Sequence, residues 1–182
     1  MEVLKLKKGF TFLLISIMFL GINNVTVNAK SQEAIPSFEE QAREAGFKTA
    51  VEAVKEFEKH CNCEIILPKK IPSIPFTHEF AKTYIDKEYG INDLLEIRFL
   101  NSEERDHLFK IDIRLDKIDF KKIYEGREYP LDNGDKGFYF ESSLFNFFVF
   151  EKGDLQYLLG IRNTVKNIDH QKELLEIANS VK

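Results

Sequence analysis

The sequence predicts an α+β domain in which an antiparallel curved sheet of about six strands, half-barrel-like, carries N-terminal helices and a C-terminal helix packed on it. Three observations predict this class. Apolar residues recur at a spacing of three to four near 50–61 and again near 174–181, the period of an amphipathic helix. Between those stretches the period falls to two, as a strand with one dry face requires. Short clusters of Asn, Gly, Ser and Asp break the two-residue pattern at intervals that suit tight hairpins.

The first 29 residues read as an export signal. Lys5, Lys7 and Lys8 make a positive start, Phe10 to Ile22 is an apolar run of 13 residues broken only by Thr11, Ser16 and Gly21, and Val27-Asn28-Ala29 offers small residues for cleavage. A membrane span needs roughly 20 apolar residues, so the expected product is released after Ala29, and an uncleaved segment is the expected route to a membrane if there is one. Residues 30–36 read as a loose leader and 37–182 as a single domain, a length that fits one hydrophobic core.

Ser37 with Glu40, and Thr49 with Glu52, each show the spacing of a helix-capping box. A short helix should run to Ala45 and stop at Gly46. A second should span 50–60, with Val51, Val54, Phe57 and Cys61 on one stripe beside Ala50 and Ala53. Pro68, Pro72 and Pro75 forbid helix in the stretch that follows. Phe80 to Asp86 is a strand candidate that can equally begin as helix. Leu95 to Phe99 and Phe109 to Asp116 alternate apolar with charged residues, and the polar Asn101 to Asp106 joins them. Asn133-Gly134, Ser142-Ser143 and Glu151 to Asp154 separate further strand-like runs, Tyr139-Phe140, Phe145 to Phe150 and Tyr157 to Leu159, in a meander. Asn167 or Asp169 then caps a last helix with Leu174, Ile177, Ala178 and Val181 on one face, which must dock on the sheet to be covered.

Composition narrows the partners. Loss of residues 1–29 removes three lysines and one glutamate from totals of 26 basic and 30 acidic residues, leaving a net charge near −6. Nucleic acid is therefore not an expected partner, since its binding depends on clustered positive charge. The sequence contains 17 Phe and no Trp, which points to a sheet core built from phenyl rings.

Cys61 and Cys63 are the two cysteines. Two thiols near a helix end is the expected state. A redox-active bridge is the alternative, and it is geometrically awkward over so short a separation. His60, Cys61, Cys63 and Glu64 can also be read as a metal cluster, yet one Cys-x-Cys lacks the second ligand pair of a zinc site. Asp132, Asn133 and Asp135 lack the spacing and closing Glu of a calcium loop. His60, His78, His107 and His170 share no motif, and no Gly-x-Ser-x-Gly elbow, His-Glu-x-x-His helix or phosphate loop occurs. No catalytic residue, cofactor or metal is thus expected. Phe138, Phe140, Phe145, Phe147, Phe148 and Phe150 are the candidate lining of an apolar groove. Phe147 and Phe148 must point to opposite faces, so either both faces are covered or some rings stay exposed.

The Pro-rich entry Leu67-Pro68-Lys69-Lys70-Ile71-Pro72, the alternating strands, the Gly153 to Gly160 segment with Tyr157 and the ending Glu173-Leu174-Leu175-Glu176-Ile177-Ala178-Asn179-Ser180-Val181 resemble the DUF4367 domain family over residues 38–182. Members of that family often carry a Trp where this chain has Phe148 and Phe150. The resemblance implies an uncharacterised module of bacterial secreted and membrane-attached proteins, with a sheet curled around helices as in LolA-like half-barrels, and it implies no catalysis.

The expectation is a secreted or surface-retained binding module whose partner is an envelope protein or an extracellular ligand. A carrier of lipid or another apolar molecule in the concavity of the sheet is the alternative, and an envelope-stress sensor is a second. Ligand identity and oligomeric state are not encoded in any recognisable motif.

Overall fold

A computed structural model of the chain describes residues 36–86 and 93–182, so the expected export signal and most of the expected leader lie outside the described residues. The elements are α1 (Phe38–Glu44), α2 (Ala50–Cys61), β1 (His78–Tyr84), β2 (Leu94–Leu100), β3 (Leu108–Arg114), β4 (Gly126–Pro130), β5 (Lys136–Glu141), β6 (Phe145–Lys152), β7 (Leu155–Arg162) and α3 (His170–Asn179). A single 3-10 turn at Phe120–Lys122 lies between β3 and β4. The strands form one open, curved antiparallel sheet in the order β1-β2-β3-β7-β6-β5-β4.

Both predicted capping boxes are present. The Glu40 N–H donates to Ser37 Oγ at 3.2 Å while the Ser37 N–H donates to Glu40 Oε2 at 2.7 Å, and Thr49 and Glu52 repeat the exchange at 3.3 and 3.1 Å. Each box satisfies two amides that a helix start would otherwise leave unpaired. Gly46, at a φ of 84°, turns the chain out of α1. Lys48 then pairs with Ala81 on the open edge of β1, and α2 starts. Asp169, not Asn167, caps α3, accepting from the Lys172 N–H at 3.1 Å.

The core lies between the sheet and α2 and α3. Leu95, Ile97, Phe109, Ile111, Ile113, Phe148, Tyr157, Leu159 and Ile161 point to this helix side. Ala50, Ala53 and Phe57 of α2 cover the β1–β2 end, and Leu174, Ile177 and Ala178 of α3 cover β6–β7. The predicted α2 stripe is rotated, because the two alanines let the helix approach the sheet closely. Val51 is consequently turned to water and is 65% exposed. The proline-rich segment after α2 runs beside α3, where Lys70 Nζ meets Glu176 Oε2 at 3.0 Å and the Ser73 N–H donates to Glu173 Oε2 at 3.2 Å.

The sheet has seven strands where about six were expected. The additional strand, β4, reads Gly-Arg-Glu-Tyr-Pro and is exposed along nearly its whole length. An edge strand with no dry face needs no alternation, and a charged, Pro-ended edge resists pairing with other chains. The 115–125 connection carries the chain from central β3 to the far edge before β4–β7 meander back to β3.

Candidate binding surface

The two-residue period decides what the phenyl rings can do. Pairing of Phe138 with Val149, Tyr139 with Phe148 and Phe140 with Phe147 puts Phe138, Phe140, Phe145 and Phe147 on the outer side of the sheet and Phe148 and Phe150 on the helix side. No single groove therefore holds all six rings. Phe148 and Phe150 are core residues, with Phe150 stacked on Tyr157 at 5.1 Å. The outer four form a stacked row, with centroids 5.5 Å apart from Phe145 to Phe147, 5.2 Å from Phe147 to Phe140 and 5.7 Å from Phe140 to Phe138.

Two glycines seat these rings by close approach. A Cβ on Gly160 would lie 2.6 Å from Phe147 Cε1, and one on Gly137 would lie 2.1 Å from Phe148 Cε1. Part of the row is roofed by the 115–125 connection, in which Phe120 and Tyr124 stack on Phe140 at 5.3 and 4.5 Å. Buried Gln156 fastens this strap: its Nε2 donates to the Ile118 carbonyl and its Oε1 accepts from the Ile118 N–H, both at 3.0 Å.

Beyond the roof the outer side is charged. Lys82 of β1, Glu96 and Arg98 of β2, and Lys110, Asp112 and Arg114 of β3 all point outward. Glu96 and Asp112 face each other directly across β2–β3 and are 6% and 3% exposed, while Arg98 and Lys110 face each other one step along. Like charges directly opposite disfavour the sheet unless they are compensated. Compensation runs along each strand: Arg98 pairs with Glu96, and Lys110 Nζ lies 2.8 Å from Asp112 Oδ2. Burial pushes the Asp112 carboxyl above its ordinary value, Lys110 opposes the shift and Glu96 adds to it. Among the described residues Asp112 Oδ1 and Arg114 Nε find no hydrogen-bond partner.

The cations also meet rings. Lys110 Nζ stands 5.6 Å from the Phe147 centroid and 5.8 Å from that of Phe145, Arg98 lies 5.2 Å over Phe47, and Lys82 lies 5.3 Å over Tyr84. The outer side of β1–β3 and β6 thus alternates half-exposed cations with aromatic faces. That arrangement can recognise carboxylates and apolar or aromatic side chains. The alternation of charge along each strand was visible in the sequence, but the facing of Glu96 and Asp112 depends on register.

The histidines do not converge. His60 pairs with buried Asp93, His78 with Glu39 at 3.0 Å, and His107 with Glu104 at 3.0 Å. Desolvation opposes ionisation of Asp93, yet hydrogen bonds from His60 and the Asp86 N–H hold its carboxyl below the ordinary value. Among the described residues no group of three His, Cys, Asp or Glu is placed to hold a metal ion. Asp132, Asn133 and Asp135 make a hairpin turn in which Asn133 Nδ2 donates to Asp135 Oδ2 at 2.7 Å.

Cys61 and Cys63 are joined by a disulfide, with Cα atoms 5.2 Å apart, which corrects the expectation of two thiols. Asn62 makes it possible. Its left-handed backbone, at a φ of 51°, doubles the chain back at the end of α2 so that the flanking Cβ atoms converge. A ring of so few residues constrains the unfolded chain little, worth about 1.6 kcal/mol on the chain-entropy relation.

An open groove of about 640 Å³ lies beside the strap, lined by Ile118, Phe120 and Phe138 but also by Lys117, Lys121 and Glu151. Of the six candidate rings it takes in Phe138 and Phe150. Comparison of the chain with protein-family models, with curated proteins and with solved structures finds no match.

Proposed function

We propose that the chain is an exported binding module that engages an envelope protein or an extracellular protein ligand through the outer side of β1–β3 and β6, a face that binds without catalysing a reaction. One observation carries this reading: half-exposed Lys82, Arg98 and Lys110 interleaved with Phe47, Tyr84, Phe145 and Phe147 on one sheet face. Arginine and aromatic side chains on a rigid support are the usual anchors of protein interfaces. The charged and apolar pattern of residues 1–29 supports export. The mixed polar lining of the 640 Å³ groove favours surface binding over carriage of lipid.

The test is photo-crosslinking in intact cells, with the reactive side chain placed at Lys110 or, as a control, at exposed Val51 on α2. Adducts of defined mass from position 110 and none from position 51 are expected, and Arg98→Glu should abolish them. Equal labelling from both positions, or stoichiometric lipid in protein extracted natively, overturns the reading.

A further inference from the structure

We propose that the Cys61–Cys63 bridge is a reversible thiol–disulfide exchange site whose substrate is a protein dithiol. This goes beyond the binding reading and does not depend on it.

The bridge is redundant for holding its own turn. Glu58 O accepts the Asn62 and Cys63 N–H groups, the latter at 3.3 Å, and Glu58 Oε1 accepts the Ile65 N–H at 3.0 Å. His60, paired with Asp93 at the start of β2, ties the same helix end to the sheet. With the sulfur–sulfur bond open, these contacts keep both side chains on the same side of the turn, close enough to reseal. Both cysteines are half-buried at the end of α2, packed against the rim of the core and not within it. A bond that adds little to the fold, in a turn that stays formed without it and beside solvent, is free to serve chemistry. Structural bridges, in contrast, close long loops and resist reduction.

The exchange balances as two displacements. A thiolate of the incoming dithiol attacks one sulfur of the bridge, forming a mixed disulfide and releasing the other cysteine as thiolate. The second thiolate of the substrate then attacks the mixed disulfide, leaving the substrate with a disulfide and Cys61 and Cys63 as thiols. Two electrons pass from substrate to bridge, and the two substrate protons end on the cysteines. In reverse, one thiolate of the reduced pair attacks a substrate disulfide and the second cysteine resolves the mixed disulfide, so the substrate leaves as a dithiol and the Cys61–Cys63 bridge reforms.

The experiment titrates the full chain with glutathione buffers from fully oxidised to fully reduced and reads the dithiol fraction by alkylation and mass spectrometry. Reduced, unfolded ribonuclease A serves as the dithiol probe. Reversible opening without loss of native circular dichroism is expected. Against ribonuclease A carrying scrambled disulfides, the Cys63→Ala variant should trap a mixed disulfide in which the Cys61 thiolate has displaced a ribonuclease thiolate, and the double variant Cys61→Ala/Cys63→Ala should stay folded with Tm lowered by about 3–6 °C and trap nothing. A bridge that opens only when the chain unfolds, a Tm loss above about 10 °C in the double variant, or a Cys63→Ala variant that forms no mixed disulfide overturns the proposal.

Discussion

Gly160 and Gly137 are defined by the rings they admit. Each lacks the atom that would collide with Phe147 or Phe148, so Gly160→Ala and Gly137→Ala should each destabilise by about 1–3 kcal/mol through overpacking, measured as a shift of the urea midpoint. Gly134, which has open space around it, should respond only through its positive φ. Asp112 and Asp93 make opposite predictions for pH. The Asp112 carboxyl is raised in the fold, so above its ordinary value the native state holds more protons than the unfolded one, and stability falls as pH rises through that window. Asp112→Asn should remove this fall. The Asp93 carboxyl is lowered, so its contribution is present above the ordinary value and is lost as pH falls through the folded one. Asp93→Asn should flatten the acid limb of the same stability profile.

At the scale of elements, α2 docks through three side chains and one of them is large. Phe57→Ala should cost about 3–5 kcal/mol, against about 1 kcal/mol for removal of the Thr49 cap, both read by denaturant unfolding. The strap over the outer rings hangs on Gln156. Gln156→Ala strands the Ile118 N–H and carbonyl, so hydrogen exchange across residues 117–124 should speed up markedly while β2 and β3 keep their protection. Helices α1 to α3, β2, β3 and the β5–β7 meander were legible because each carries its own period and its own end signals. The Thr49–Glu52 box and the Leu95–Phe99 alternation are set by residues within a few positions of one another. Strand β4 was not legible, since Gly126, Arg127, Glu128 and Pro130 are what an exposed edge tolerates and also what a loop contains.

For the whole molecule the consequential pairing is β3 with β7, which joins the β1–β3 meander to the β4–β7 meander in one sheet. That pairing assembles the outer surface, because it sets Lys110 of β3 beside Gly160 of β7, whose missing side chain leaves room for Phe147 of β6. The candidate surface was therefore only half visible beforehand: its rings and its charges were evident, but not that they interleave.

The sequence by itself determined the α+β class, the caps of α1 and α2, the obligation of Phe147 and Phe148 to face apart, and the net negative charge, because these follow from local spacing and composition. Only the tertiary structure decided that four rings face outward with part of the row under a strap, that Glu96 lies opposite Asp112, that Val51 is left in water and that Cys61 and Cys63 are bonded. Those outcomes depend on which strands become neighbours, on how closely a helix can approach and on the backbone conformation that Asn62 adopts, none of which residue type alone fixes.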